Sequence, residues 1–280
     1  MRIRIYTPDQ GLRRPVDLVY ELVSDVWAGR ELAWRLFLRD IKAQYRQTYF
    51  GYLWAFFPPL VASAPFIFLQ SQGITNIDGT GIPYPAFAMI GTLLWQSFAD
   101  ALAAPVASIN AAKPMLSKIN FPREAILVAG MYAVAFSFAI RLVLLALVML
   151  VWGVSPTASV MLFPVFAFGL FVAGFAIGMV LVPLGGLYGD VSRAIPIVAQ
   201  FWMLLTPVVY PVQVDGMAAK LACFNPVSSI IVSARASLTG QPLDHAGLAF
   251  VIIVGAGIVS FFGVVGFRIA MPHLIARMGS

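Results

Sequence analysis

Apolar residues in this chain come in long unbroken runs. They show neither the alternation of half-buried strands nor the narrow stripes of surface helices. Six runs stand out, at residues 50–70, 85–108, 125–152, 159–185, 195–210 and 247–268. A helix needs ~20 residues to cross the hydrocarbon core of a bilayer, and five runs reach that length directly. The fifth, 195–210, is short and carries Pro196 and Pro207, so it is either kinked or lengthened by the residues after it. Backbone groups in lipid must be satisfied internally, which leaves helices or closed barrels. Continuous runs exclude the alternating strands of a barrel. The expectation is an all-α integral membrane protein: a tail and interface helix over 1–49, then a six-span domain over 50–280.

Two stretches break this pattern. Between residues 31 and 50, apolar residues recur at Trp34, Phe37, Leu38, Ile41, Tyr45 and Tyr49, and cations at Arg35, Arg39, Lys42 and Arg46. At ~100° per residue each set forms a stripe, about a quarter-turn apart. This predicts an amphipathic helix lying in the membrane interface, with one side offered to phosphates or protein. The second stretch, 212–240, is punctuated by Gly216, Pro226 and Gly240. Between the breakers lie 217–224 and 227–238, apolar but too short to span. Such a pair either dips into the membrane as re-entrant helices or lies across the outer surface.

Charge supplies orientation. Of 18 Lys and Arg residues, 15 fall in the N-terminal stretch, the second-to-third and fourth-to-fifth connections and the C-terminal tail. The opposite side receives Lys220 and Arg235, and Arg141 lies inside a span. Basic connections stay in the cytoplasm, so both termini are expected there, in a plasma membrane. The net charge of +6 therefore comes from topology and gives no reason to expect nucleic acid.

Composition agrees: 60% of residues are hydrophobic and 11% charged, against ~45–50% and ~25% in soluble domains. Residues 1–48 are charged throughout, with no apolar core of a cleavable signal peptide. With a single cysteine, Cys223, and two distant histidines, neither a disulfide framework nor a metal site is expected. No GxxxxGK[ST] loop, GxSxG elbow or HExxH pair occurs, so the chain is expected to be no enzyme and to hold no cofactor. The Gly185-Gly186-Leu187-Tyr188-Gly189-Asp190 run lacks the lysine of a phosphate loop and reads as a tight turn.

Two ionisable residues lie at membrane depth, Asp100 and Arg141, ~22 Å and ~17 Å from the outer ends at ~1.5 Å per residue. Charges there are costly and mark functional positions. Consecutive spans bring them close enough to pair, and the alternative has Arg141 facing a polar pathway. A proton-coupled carrier would need a longer chain of titratable groups. The first span carries Trp54 and Phe57, and the fifth carries Phe201, Trp202 and Tyr210. These rings serve either as interface anchors or as flat apolar faces along which sugar rings slide.

Several motifs carry a resemblance across nearly the whole chain. They begin with the run 39–48 (RDIKAQYRQT), then Gly51-Tyr52-Leu53-Trp54 and Pro58-Pro59. Leu94-Trp95, Asn110, Lys113, Lys118 and Phe121-Pro122-Arg123 come next, then Gly189-Asp190-Val191, the run 206–211 (TPVVYP) and Asn225-Pro226. In this order they resemble the ABC-2 type permeases that export polysaccharides and polyol phosphates. The resemblance implies a half-transporter. Two copies would form the pore, with two copies of a separate ATPase carrying ATP and magnesium beneath them. It implies that 31–48 and 110–123 contact the ATPase, through Arg35, Arg39, Lys42, Arg46, Lys113, Lys118 and Arg123, or that the basic stripe meets a lipid diphosphate. Trp54, Phe57, Phe201 and Trp202 would line the path, and 212–238 would gate its outer mouth. The expected cargo is a lipid-linked polysaccharide resembling O-antigen; the alternative is a small amphiphile such as a drug or lipid.

Overall fold

The computed structural model describes residues 15–45, 49, 56–73, 80–116, 122–211 and 225–278. The described elements are all helices: α1 (Pro15–Tyr45), α2 (Phe57–Ser71), α3 (Tyr84–Leu116), α4 (Glu124–Val151), α5 (Phe163–Leu187), α6 (Gly189–Leu205), α7 (Pro226–Thr239) and α8 (Ala246–Met278). A 3-10 turn, Ala158–Leu162, leads into α5. Four helices are long and apolar enough to cross a membrane: α3, α4, α5 with its lead-in turn, and α8. The chain is a multi-pass helical membrane protein. At 15 and 17 residues, α2 and α6 are shorter than a span. Residues 50–55 of the first expected span, and the expected helix 217–224, lie outside the described residues.

At the centre stands α3, buried around most of its circumference. It packs along α5 and α4, with α2 and α6 on its flanks. Lipid tails are as apolar as leucine, so helices in a bilayer associate through close packing at small residues. The α3–α5 seam shows this. A Cβ on Gly174 would sit 2.6 Å from the Phe98 carbonyl oxygen, and one on Gly178 2.5 Å from that of Leu102. Gly185 continues the stripe against Val106, and Gly130 of α4 meets Ser108 and Ala104 of α3 in the same manner. By contrast α8 packs on α5 with one side and turns Val251, Val254, Ile258 and Phe262 outward. That is the pattern of a helix facing lipid.

At one end of the bundle α1 lies against α4. It is a single helix from Pro15, so it begins upstream of the expected Glu31. The reason is a buried stripe that continues in both directions: Asp25, Gly29, Ala33, Leu36 and Phe37 recur at helical spacing. Ala33, Leu36, Phe37 and Ile41 pack with Ala125 and Ala129 of α4. Two other faces remain open. One carries Val23, Trp27, Arg30 and Trp34, with the Arg30 guanidinium 4.2 Å from the centre of the Trp27 ring. The other carries Glu31, Arg35 and Lys42.

The opposite end is irregular but ordered by hydrogen bonds. After α6 the chain leaves the helix at Thr206 and turns through Pro207, Val208 and Val209, all buried. Beyond it α7 is a short helix buried along almost its whole length among α5, α8 and α3. Its boundaries are written in the sequence. The Asn225 side chain accepts from the Val227 N–H at 3.1 Å, Pro226 occupies the first turn, and Gly240 ends the helix at φ 70°.

Candidate functional site

Each flank of α3 presents an apolar surface. α2 rests on α3 and exposes Phe57, Leu60, Val61 and Phe68. α6 buries Ile195 and Ala199 and exposes Ile197, Val198, Phe201, Leu204 and Leu205. The aromatics expected from sequence to line a path therefore divide. Phe201 is 67% exposed. Trp202 turns inward and meets Trp95 and Phe98 of α3 edge-on, at 6.0 and 5.4 Å between ring centres. The Tyr210 hydroxyl folds back to donate to the Leu204 carbonyl at 3.2 Å. Trp54 lies outside the described residues.

Midway along α3, Asp100 meets Arg141 of α4. Nη2 of Arg141 lies 2.6 Å from Oδ2 of Asp100, and Nη1 reaches Ser97 Oγ at 3.5 Å. The Arg141 side chain is 11% exposed and that of Asp100 40%. The structure thus brings these two residues together, with the carboxylate as the accessible member.

At the α1 end the basic residues are partly spoken for. Arg35 pairs with Glu31 at 2.6 Å and Arg39 with Asp40 at 2.8 Å. Arg39 also donates to the Met115 sulfur at 3.0 Å, so α1 touches the end of α3 beside Lys113. Lys42 is exposed, while Lys113 and Arg123 are half-buried. The faces of α1 and the 110–123 region thus share one end of the bundle. Arg46 and Lys118 lie outside the described residues. Nearby, Asn110 of α3 donates to Ser192 Oγ at the start of α6. The glycine-rich run is the corner between α5 and α6, pivoting at the extended Tyr188.

Two charged clusters were not visible in the sequence pattern. Arg268 of α8 reaches Asp25 and Glu21 of α1 at 2.8 and 3.2 Å, and Glu124 at the start of α4 at 3.3 Å. Asp25, Glu124 and Arg268 are all well buried, so one guanidinium joins three helices. The spacing of Glu21 and Asp25, four apart on one side of α1, was the available signal. At the other end Arg235, which the charge count assigned to the outer side, is buried within α7. It donates to the Val208 carbonyl at 2.9 Å and to that of Pro207, and it stacks 3.7 Å from the centre of the Phe87 ring. Tyr84 donates to the Val209 carbonyl at 3.0 Å, and Asn225 to Thr206 Oγ1 at 2.7 Å. The turn after α6 is thereby well supplied with donors, as irregular backbone in an apolar interior requires. Among the described residues, no three His, Cys, Asp or Glu side chains gather as a metal site would need.

Known proteins resemble the chain along most of its length. It is 26% identical over 229 residues to the O-antigen export system permease protein RfbA of Myxococcus xanthus, a match that covers 80% of this chain and 86% of that protein. Two proteins of the same name from Klebsiella pneumoniae are 24% and 23% identical over 220 residues, 78% of this chain and 83% of each. No protein-family profile matches.

Proposed function

We propose, from the premise that this chain is an ABC-2 type permease related to those of O-antigen export, that it is the membrane-spanning half of an ATP-driven exporter. Its cargo is a lipid-linked polysaccharide, moved across the inner membrane through a path between two copies of the chain. The observation that carries the reading is the match to O-antigen export permeases over about four-fifths of the chain. A six-span topology with both termini in the cytoplasm fits the basic connections. In that frame α2 and α6, with residues 50–55 and 206–211, complete the first and fifth spans, and α7 belongs to the outer gate.

The subunits divide the labour. ATP and magnesium belong to two copies of a separate ATPase subunit. Those subunits press on the charged face of α1 and on the 110–123 segment, which begins as the last turns of α3 and is joined to α1 by Arg39 and Met115. The face with Trp27 and Trp34 suits the headgroup layer, where amphipathic rings and cations are both at home. Phe57, Trp54 and Phe201 offer apolar faces to the cargo, and Trp202 backs the path against α3.

Inactivating the gene in its host tests this directly. Surface polysaccharide should disappear while the lipid-linked polymer accumulates on the inner face, and both should recover when the chain is restored. Unchanged surface polymer, with export of a small amphiphile lost instead, would sink the polysaccharide reading.

A further inference from the structure

Asp100 lies at the midpoint of α3, so its 40% exposed carboxylate sits at membrane depth. Its surroundings differ from the lipid-facing surfaces. Gln96, Asp100, Ala103 and Ala107 fall on one side of α3 at helical spacing, and each is at least partly exposed. The stripe holds no large apolar side chain. The outward faces of α4 and α8 carry Leu142, Val143, Leu147, Val254 and Ile258 instead. A carboxylate and an amide gain nothing from lipid, so this side of α3 is built for a hydrated partner. The two alanines leave room for that partner to lie against the helix.

The chemistry of that partner can be read from the pair. Arg141 neutralises Asp100 at 2.6 Å and is itself covered, at 11% exposure. What faces outward is therefore an acceptor, not a cation. A phosphate would meet the carboxylate first and be repelled, whereas a neutral O–H donor would be bound. One turn along α3, Gln96 Oε1 is buried and has no hydrogen-bond partner among the described residues. The pair thus offers an accessible carboxylate, and the partly exposed Gln96, one turn (~5.4 Å) along the helix, adds an amide whose oxygen is not used by the fold. We propose that Asp100, oriented by Arg141 and supported by Gln96, is a hydroxyl-recognition site on the transport path, which contacts the sugar chain of the cargo and not its lipid phosphate. The inference rests on the export reading above and adds the group on the cargo that is recognised.

The test uses the full transporter with its ATPase, reconstituted in vesicles and supplied with lipid-linked polysaccharide. Wild type must export it with ATP; if it does not, the export reading fails, and the site is not what failed. Two neutral double variants then separate recognition from structure. D100L/R141L replaces the partly exposed ion pair with apolar residues, a kind of change that is often tolerated where such pairs are covered by protein. D100N/R141Q is equally neutral but keeps hydrogen-bonding groups. The leucine pair should export at least about tenfold more slowly, the scale of losing a hydrogen bond to a charged group. The amide pair should stay within about threefold, since its carbonyl oxygens still accept. Equal export by the two would overturn the site. A second measurement does not depend on either variant: in a C223S background, A103C and A107C should react with a membrane-impermeant maleimide, and L147C should not. Trapped lipid-linked polysaccharide should slow that reaction at least about tenfold. Absence of labelling means that the stripe faces lipid or a second copy, and labelling without protection means that no cargo touches it. Either result overturns the proposal.

Discussion

Arg235 carries its charge into the interior, and its partners among the described residues are two carbonyls and an aromatic face. A guanidinium can serve both carbonyls at once because its N–H groups form a planar fork; a lysine cannot match that geometry. Arg235→Leu leaves the Pro207 and Val208 carbonyls without these donors, at ~1–3 kcal/mol for each buried unpaired group. Thermal unfolding in detergent should therefore rank wild type above Arg235→Lys, and Arg235→Lys above Arg235→Leu; equal midpoints would contradict the clamp. Gly91 tests the same turn from the other side. A Cβ there would run into the Val208 carbonyl, which is backbone and cannot swing away. Gly91→Ala, a mild change on an exposed helix, should here cost ~1–3 kcal/mol through overpacking. A variant as stable as wild type would mean that the turn can lift off α3 freely.

At the level of elements, α1 owes its placement to two different forces. Its Ala33, Leu36, Phe37 and Ile41 face packs on α4, and the side with Glu21 and Asp25 is bound to Arg268. Removing one member of a buried ionic cluster typically costs ~3–5 kcal/mol, because the remaining charges lose their partner. Arg268→Gln should therefore speed amide exchange in α1 by at least about tenfold while leaving the α3–α5 seam unchanged. Exchange in α1 equal to wild type would show that apolar packing alone holds the helix. This cluster also marks where the sequence stops being legible. The cores of α3, α4, α5 and α8 stand out as apolar runs because lipid demands continuous hydrophobicity along a single segment. Asn225-Pro226 and Gly240 likewise mark α7, because capping is local. Arg268 and Asp25 are 243 positions apart, and no periodicity records which distant carboxylate a terminal arginine will meet. The count of basic residues read Arg268 and Arg235 as topology signals alone, since a sum over connections ignores where each side chain points. Asp100 and Arg141 were legible as a pair because consecutive antiparallel helices constrain who can meet whom.

For the whole molecule, the question is which surface meets a second copy. Exposed apolar residues do not answer it, because α8 displays them as freely as α2 and α6 do. Length does more. α6 ends after 17 residues and gives way to the irregular turn at Thr206, Pro207 and Val208, so the helix by itself does not fill a bilayer. Short helices leave backbone ends at membrane depth, tolerated only against protein or a water-filled cavity. α8 runs for 33 residues and has no such need. On the export reading proposed above, the surfaces of α2 and α6 that carry Phe57 and Phe201 are the ones that meet the partner copy and the hydrated path. In a C223S background, Phe57→Cys and Phe201→Cys should each form cross-linked dimers with a short bifunctional thiol reagent in native membranes. Val251→Cys, also exposed but on the lipid face of α8, should give none. ATP supplied to the assembled transporter should change the yield at Phe57 and Phe201, because widening a path between two copies separates the helices that line it. Cross-linking confined to Val251 would place the partner on α8 and remove the path from between α2 and α6. Yields at Phe57 and Phe201 that ignore ATP would keep the dimer but make this contact a static one.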